Sequence, residues 1–353
     1  MAKARPVTSY DVAAQAGVSQ ATVSVVLSGR QSSIRVSEAT RQRVLAAAAA
    51  LDYSPNSLAQ AFRQQRSGII GFVPRLERAA PEQSLPVMYL LGQHIARTAI
   101  AHRYHVLEAS AESEGMRTGE DSVEFMLSRR VDGVIFDRPY SADEVRHFAD
   151  RGVAVVQLIR PQIAVPTAII AVDAAPGIEA AVAHLVALGH RRIALIGHDN
   201  AHPAVRSRLD AFAAALARRQ IAVPPDYIQL RGVSDIAQGN DAARSLLALP
   251  VRPTALVATA EALALGALRS LYAARVRVPE EMSVIGYDDA FSVHLYPPLT
   301  SVAQPFREVA ERAVGLILEQ LHGLNGQGGA TEPTHIVLPT TLVIRESTGP
   351  PGD

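Results

Sequence analysis

Val7-Thr8-Ser9-Tyr10-Asp11-Val12-Ala13-Ala14-Gln15-Ala16-Gly17-Val18-Ser19-Gln20-Ala21-Thr22-Val23-Ser24 is the stretch on which the reading of this chain turns. Thr8 and Ser19 stand where helix N-caps belong, and Asp11, three residues after Thr8, has the spacing of a capping box. Gly17 falls where a first helix must end and the chain must turn. Ala13, Ala14 and Ala16 are small enough for two helices to cross closely. The pattern predicts helices over residues 8–15 and 19–27. Two short helices joined by a tight turn make a helix-turn-helix, whose second helix lies in the DNA major groove.

Working outward, Ser28–Arg35 is a polar, turn-rich loop. A third helix is expected from Ser37 as N-cap to about Leu51, with Val44, Leu45, Ala48 and Leu51 as one apolar stripe. Ser54-Pro55 reads as an N-cap followed by proline at the first helical position, opening a short helix over about residues 55–64. So short a helix is marginal alone in water, so its folding should depend on a partner.

The 353 residues carry a net charge of zero, but the charge is uneven. Residues 1–66 hold Lys3, Arg5, Arg30, Arg35, Arg41, Arg43, Arg63 and Arg66 against Asp11, Glu38 and Asp52, a net of +5, which leaves −5 for the rest. A basic head on an acidic body suits a polyanion-binding module attached to something that must not bind polyanions. There is no cysteine, which excludes disulfides, thiol catalysis and Cys-ligated metals. No run of about 18 apolar residues marks a membrane span. No apolar segment follows the basic N-terminus as in a signal peptide, so a cytoplasmic protein is expected.

From Gly68 the pattern becomes α/β. Apolar runs of strand length recur at Ile69–Val73, His105–Ala109, Gly133–Phe136, Val153–Leu158, Ile169–Val172, Arg192–Ile196, Tyr227–Leu230, Ala255–Ala258 and Val284–Gly286. Helical stretches lie between most of them, at 86–102, 176–188, 205–219, 238–248 and 261–274 among others. Near-continuous apolar strands alternating with helices mean parallel sheets covered on both faces. There are too many units for one compact sheet of usual size, so two subdomains are expected. The Gly/Pro-rich piece Gly323–Pro333 reads as a linker.

Taken in order, several motifs closely resemble the LacI/GalR family of bacterial transcription regulators. In the head they are Val12-Ala13, Ala16-Gly17-Val18-Ser19 and Thr22-Val23-Ser24, then Val36-Ser37, Thr40-Arg41, Val44 and Asp52-Tyr53-Ser54-Pro55-Asn56. In the body they are Ile70-Gly71-Phe72-Val73-Pro74, Val131-Asp132-Gly133-Val134-Ile135 and His184-Leu185 with Leu188-Gly189-His190-Arg191-Arg192-Ile193-Ala194. Near the end come Ser283-Val284-Ile285-Gly286-Tyr287-Asp288-Asp289 and Leu342-Val343-Ile344-Arg345-Glu346-Ser347-Thr348. The resemblance implies an all-α helix-turn-helix head (1–53), a hinge helix and linker (54–67) and a two-lobed periplasmic-binding-protein-like α/β body (68–353). Its N-lobe would take about 68–172 and 302–325, its C-lobe about 173–301 and 326–353, with three chain crossings between the lobes.

On the second helix the motif puts Gln20, Ala21 and Val25 on the reading face. Gln20 suits bidentate pairing with adenine, and Ala21 suits a thymine methyl. Val25 departs from the family, where a polar residue is common, and is expected against a thymine methyl or facing solvent. Thr8, Ser19, Thr22 and Ser24 suit phosphate or cap contacts, and Arg30 and Arg35 suit phosphates reached from the loop. The resemblance further implies that two hinge helices, one per subunit, enter the minor groove of a pseudo-palindromic operator. Asn56 and Ala59 lie on this segment, and Phe62 stands where the family carries its apolar wedge.

By the same resemblance Asp288 and Arg208 are expected to face a small polar effector of the sugar or related metabolite class, with Arg160 and Gln304 as further polar candidates. The family's Asn-Asp pair after the strand at Ala255–Ala258 is Ala260-Glu261 here, the aromatic platform before Gly239 is Val233 or Ser234, and the aspartate before Arg160 is Ile159. The effector is therefore something other than a free hexose, or bound in another pose, or the site is degenerate. No HExxH, GxSxG or P-loop points to an enzyme, and neither a metal nor a cofactor is called for. A homodimer is expected, since one head reads one half-site. A solute-binding protein without DNA regulation is the other class the body fits, and the head argues against it.

Overall fold

In the computed structural model, which describes residues 7–28, 35–53, 66–74, 81–108, 124, 126–128, 131–137, 142–158, 167–198, 203–323 and 334–352, Thr8 opens the first helix. The Thr8 side chain accepts from the Asp11 amide, and the Asp11 carboxylate accepts from the Thr8 amide at 2.8 Å. Such a cap contributes about 1 kcal/mol. Helix α1 (Ser9–Ala16) ends at Gly17, whose φ of 64° is left-handed, and the Gly17 and Val18 amides return to the Ala14 and Ala13 carbonyls. Helix α2 (Gln20–Ser28) follows Ser19, and α3 (Glu38–Ala50) follows Ser37, each serine accepting from the amide three residues on.

Val12, Val23 and Val44 are fully buried and form the centre of the head, with Ala13, Ala16, Val26, Ala47 and Ala48 around them. Two expectations change here. Ala14 is exposed, so the close crossing rests on Ala13 and Ala16 alone. Leu45 is 43% exposed and lies outside the stripe, which instead runs Val44, Ala47, Ala48, Leu51. Three short helices enclose one narrow seam, and positions i, i+3, i+4 and i+7 from Val44 fill it.

The chain divides into Met1–Ser67 and Gly68–Asp353. The second unit holds two six-stranded sheets. One comprises β1 (Ile69–Val73), β2 (His105–Glu108), β3 (Gly133–Phe136), β4 (Ala154–Gln157), β5 (Ala168–Asp173) and β11 (His335–Pro339), in the order β11-β5-β4-β3-β1-β2. The other comprises β6 (Ile193–His198), β7 (Ile228–Arg231), β8 (Ala255–Ala258), β9 (Ser283–Asp288), β10 (Thr300–Ala303) and β12 (Thr341–Val343), in the order β12-β10-β9-β8-β6-β7. All neighbours are parallel except β12, which runs antiparallel to β10.

Helices cover both faces of each sheet, as continuous apolar strands require. In the N-lobe, α4 (Pro81–Ala101) and α10 (Phe306–His322) close one face around Ile70, Phe72, Ile95 and Ile317. Helix α5 (Ala142–Ala149) closes the other through Val145 and Phe148. In the C-lobe, α6 (Ala175–Ala187) and α7 (Pro203–Ala217) lie on one face, and α8 (Ile236–Leu247) and α9 (Glu261–Ala273) on the other.

Three strands lie outside the sequence expectation: β10, β11 and β12. The C-lobe piece expected at 326–353 is also corrected, because His335–Pro339 pairs with β5 of the N-lobe sheet and only Thr341 onward joins β10. The chain crosses between sheets after Asp173, after Ala303 and at Thr340. Thr340 ties two of these crossings, its amide and hydroxyl both donating to the Asp173 carbonyl at 3.0 and 2.9 Å. Gly177 fits beneath, since a Cβ there would come within 2.6 Å of the Thr340 hydroxyl. Among the described residues no helix is long and apolar enough to cross a membrane. The helix expected at 55–64 and the linker after Gly323 lie outside the described residues.

Candidate DNA-binding and effector sites

On the head, the start of α2 carries a cluster of small and polar side chains. Ala21 is exposed, while Thr22, Ser24 and Val25 are half-buried. The Gln20 amide donates to Ser9 Oγ at 3.2 Å, which ties the first residue of α2 back to α1. Ser19 accepts from the Thr22 amide at 3.2 Å and lies 2.9 Å from the Thr22 hydroxyl, so its side chain caps the helix. Arg35 is exposed just before α3. Arg30, Asn56, Ala59 and Phe62 lie outside the described residues.

In the body, the polar groups gather at the carboxyl edge of the C-lobe sheet, where open parallel sheets bind ligands. β9 ends in Asp288, which is buried and held at φ +91°. Its Oδ1 accepts from Gln304 Nε2 at 2.6 Å and its Oδ2 from the Glu261 amide at 3.3 Å. Gln304 follows β10 directly and precedes α10, so Asp288 is tied to a strand that crosses between the lobes. Arg208 reaches from α7 to the Thr259 carbonyl at 2.6 Å and lies flat over Tyr287, 3.9 Å from the ring centroid. Its Nε and the Thr259 hydroxyl are buried with no hydrogen-bond partner. Arg160 lies outside the described residues.

Glu261 replaces the acid of the family's Asn-Asp pair. It is 1% exposed at the first turn of α9, and its carboxylate accepts from the Ala290 and Phe291 amides at 3.1 and 3.2 Å and from the Ser292 hydroxyl. Burial, reinforced by the neighbouring Asp288, pushes it up to about 7. On the far side of the same turn, Asp289 at φ +58° receives both arms of Arg345 at 2.6 and 3.0 Å. Glu261 and Arg345 thus clamp the left-handed pair Asp288-Asp289 from two sides. Neither was a site candidate from sequence. Arg345 lies in the motif Ile344-Arg345-Glu346-Ser347-Thr348, and its distance from Asp289 along the chain hid the pairing.

At the amino edge of the same sheet, Nε2 of fully buried His190 is 2.8 Å from the Gly349 carbonyl and 3.0 Å from Ser283 Oγ, and its Nδ1 is 2.9 Å from Thr254 Oγ1. Burial holds this imidazole below its ordinary value. It fastens the C-terminal segment to the sheet, which gives Gly189-His190 an architectural role. Among the described residues no group of three or more His, Cys, Asp or Glu could hold a metal ion.

A capped helix-turn-helix on a body with a polar cleft edge defines a class, the ligand-responsive DNA-binding regulators. Residues 8–56 match the family described as bacterial regulatory proteins, lacI family, and residues 182–348 match the periplasmic binding protein-like domain. The chain is 34% identical over 350 residues to an uncharacterized HTH-type transcriptional regulator in the aml 5' region of Streptomyces limosus, covering 96% of this chain and 93% of the relative. It superposes on the lac repressor dimer bound to operator and the anti-inducer ONPF with a TM-score of 0.77 at 31% identity, covering 98% of this chain and all of the other. A transcriptional regulator CelR–cellobiose complex gives 0.66 at 29% identity, covering 97% and 100%. The chain belongs to the lacI family: it is a DNA-binding transcriptional repressor regulated by effector binding, not an enzyme.

Proposed function

We propose that Gln20, Ala21 and Val25 read base edges of a pseudo-palindromic operator in the major groove. Thr8, Ser19, Thr22, Ser24, Arg30 and Arg35 contact phosphates, and Asn56, Ala59 and Phe62 enter the minor groove, with Phe62 as the wedge. The protein acts as a homodimer in the cytoplasm, one head per half-site. A small polar effector, of the class that includes sugars, binds at the cleft edge through Asp288 and Arg208, with Gln304 and Arg160 beside them. Gln304 also bonds to Asp288 at the crossing strand, so an effector that takes the carboxylate competes with that bond. DNA affinity then changes by the effector's differential affinity for two lobe orientations.

The observation that carries this reading is the pairing of Asp288 with Gln304 at an interlobe crossing, in a chain whose head is a capped helix-turn-helix. The test is an electrophoretic shift of the DNA upstream of the protein's own gene with the full chain. Gln20→Ala should weaken specific binding by about 1–3 kcal/mol and relax one base position. Phe62→Ala should reduce the DNA bend along with affinity. Unchanged affinity, base preference and bend in both variants would sink the assignment.

A further inference from the structure

The polar groups at the cleft edge leave one charge uncompensated. Arg208 is 9% exposed, yet among the described residues it makes no ion pair, and its partners, the Thr259 carbonyl and Tyr287, are both neutral. The three acids of this edge are engaged elsewhere. Asp288 accepts from Gln304 and the Glu261 amide, Glu261 faces the turn at 290–292, and Asp289 is clamped by Arg345. Tyr287 offers the face of its ring and so meets only part of the requirement of a buried cation. Guanidinium carries five N–H donors in a planar fork, and here Nε is buried with nothing to donate to. The adjacent Thr259 hydroxyl, fully buried, is in the same condition.

A buried, unpaired guanidinium is costly unless a partner arrives to meet it. A neutral hydroxyl fills one donor and leaves the charge. A carboxylate or phosphate fills two donors in the fork geometry and neutralises the charge at once. Asp288 imposes the opposite demand, since a carboxylate only accepts and so calls for a hydroxyl or amine. We propose that the effector is a polyhydroxy acid, with its oxyanion on Arg208 beside the Thr259 hydroxyl and its hydroxyls donating to Asp288. The proposal rests on the effector site argued above and narrows its ligand from small polar molecules to acidic ones.

Thermal unfolding and operator release of the full chain are measured with D-gluconate, D-galactonate, D-glucose 6-phosphate and D-galactose 6-phosphate. D-glucose and D-galactose at equal concentrations are the neutral parents. At least one acid should raise the unfolding midpoint and alter operator binding, with an affinity at least about tenfold above its neutral parent. Whether the responding compounds are aldonates or sugar phosphates tells carboxylate from phosphate. Arg208→Met should remove the preference for acid over neutral parent, and Arg208→Lys, which keeps the charge without the fork, should retain part of it. Three outcomes would overturn the proposal: no acid shifts the midpoint, neutral parents bind as tightly, or the acid preference survives Arg208→Met. If neutral sugars bind and Asp288→Asn abolishes that binding, the effector site stands and only its acidic ligand falls. If neither Arg208→Met nor Asp288→Asn changes the binding of any compound, the site falls as well.

Discussion

The two lobes share one strand order and differ in what they bury. Among the described residues, the N-lobe core around Ile70, Phe72, Ile95, Val314 and Ile317 is apolar, and the lobe's buried polar groups are Asp132, Asp137, Gln157 and Thr167. The C-lobe buries Arg208, Thr259, Glu261, Asp288, Ser292 and Ser301 toward one edge of its sheet, and His190, Thr254, Ser283 and Ser347 toward the other. The doubly wound topology does not require so many polar groups, because the N-lobe forms a sheet of the same strand order with fewer. Their concentration in one lobe sets the two apart. The C-lobe edge is where the effector is proposed to bind, and the N-lobe is its less polar counterpart.

The largest contrast is expected at glycine. Helices α8 and α9 touch backbone to backbone, and a Cβ at Gly266 would fall 2.1 Å from the Ile236 carbonyl and 2.6 Å from the Asn240 nitrogen. At Gly71 in the N-lobe the obstacle is the thioether end of Met126, a flexible side chain that can turn aside. Gly266→Ala should cost about 3 kcal/mol or more, and Gly71→Ala about 1 kcal/mol, in urea unfolding followed by circular dichroism. Equal costs would mean that the backbone contact of α8 with α9 is no less yielding than the side-chain packing at Gly71.

Next comes Glu261. Its pKa of about 7 stands above the ordinary 4.5, so between those values the folded state holds a proton that the unfolded state has lost. Stability contributed by the protonated acid is therefore complete below pH 4.5, declines as pH rises to about 7 and is flat above it. The decline should be at most about 3 kcal/mol. Glu261→Gln keeps an acceptor for the Ala290 and Phe291 amides and a donor for Ser292, so it should flatten this part of the profile. A midpoint that follows pH equally in both proteins would assign the dependence to another group.

The smallest effect belongs to the N-lobe's own polar tie. Gln320 on α10 donates to the Val155 carbonyl at 3.1 Å and accepts from its amide at 3.0 Å. Gln320→Ala should cost about 1–2 kcal/mol, without the pH slope seen at Glu261. A pH-dependent loss here would mean that the lobes differ less than their burial indicates.

The parts legible in the sequence were those whose cause is local. Thr8-Asp11, Gly17, Ser19 and Ser37 fix the helix ends of the head within a few residues of chain, and all four act where expected. The buried strands β3, β6, β8 and β9 stand out as apolar runs because both faces are covered. β10 was hidden by Thr300 and Ser301, both buried although polar; Ser347 and Thr348 meet Thr300 from the end of the chain, while the Ser301 hydroxyl has no hydrogen-bond partner. β11 is an edge strand, partly exposed, and lacks the continuous apolar signal. Asp288, Arg208 and Gln304 were named by resemblance. The clamp of Glu261 and Arg345 on the turn after Asp288 joins three segments far apart in the chain, and periodicity carries no trace of it.

The Thr340 stitch constrains the mechanics of the whole body. Three separate connectors would let two rigid blocks tilt, twist and slide. Because Thr340 is bonded to Asp173, two connectors share one point, and the connector through Gln304 supplies a second. Two such points act as pins, and rotation about the line through them disturbs these bonds less than sliding would. One of those pins is bonded to Asp288. A group that took that carboxylate from Gln304 would free the connector there and so change the stiffness of the joint itself.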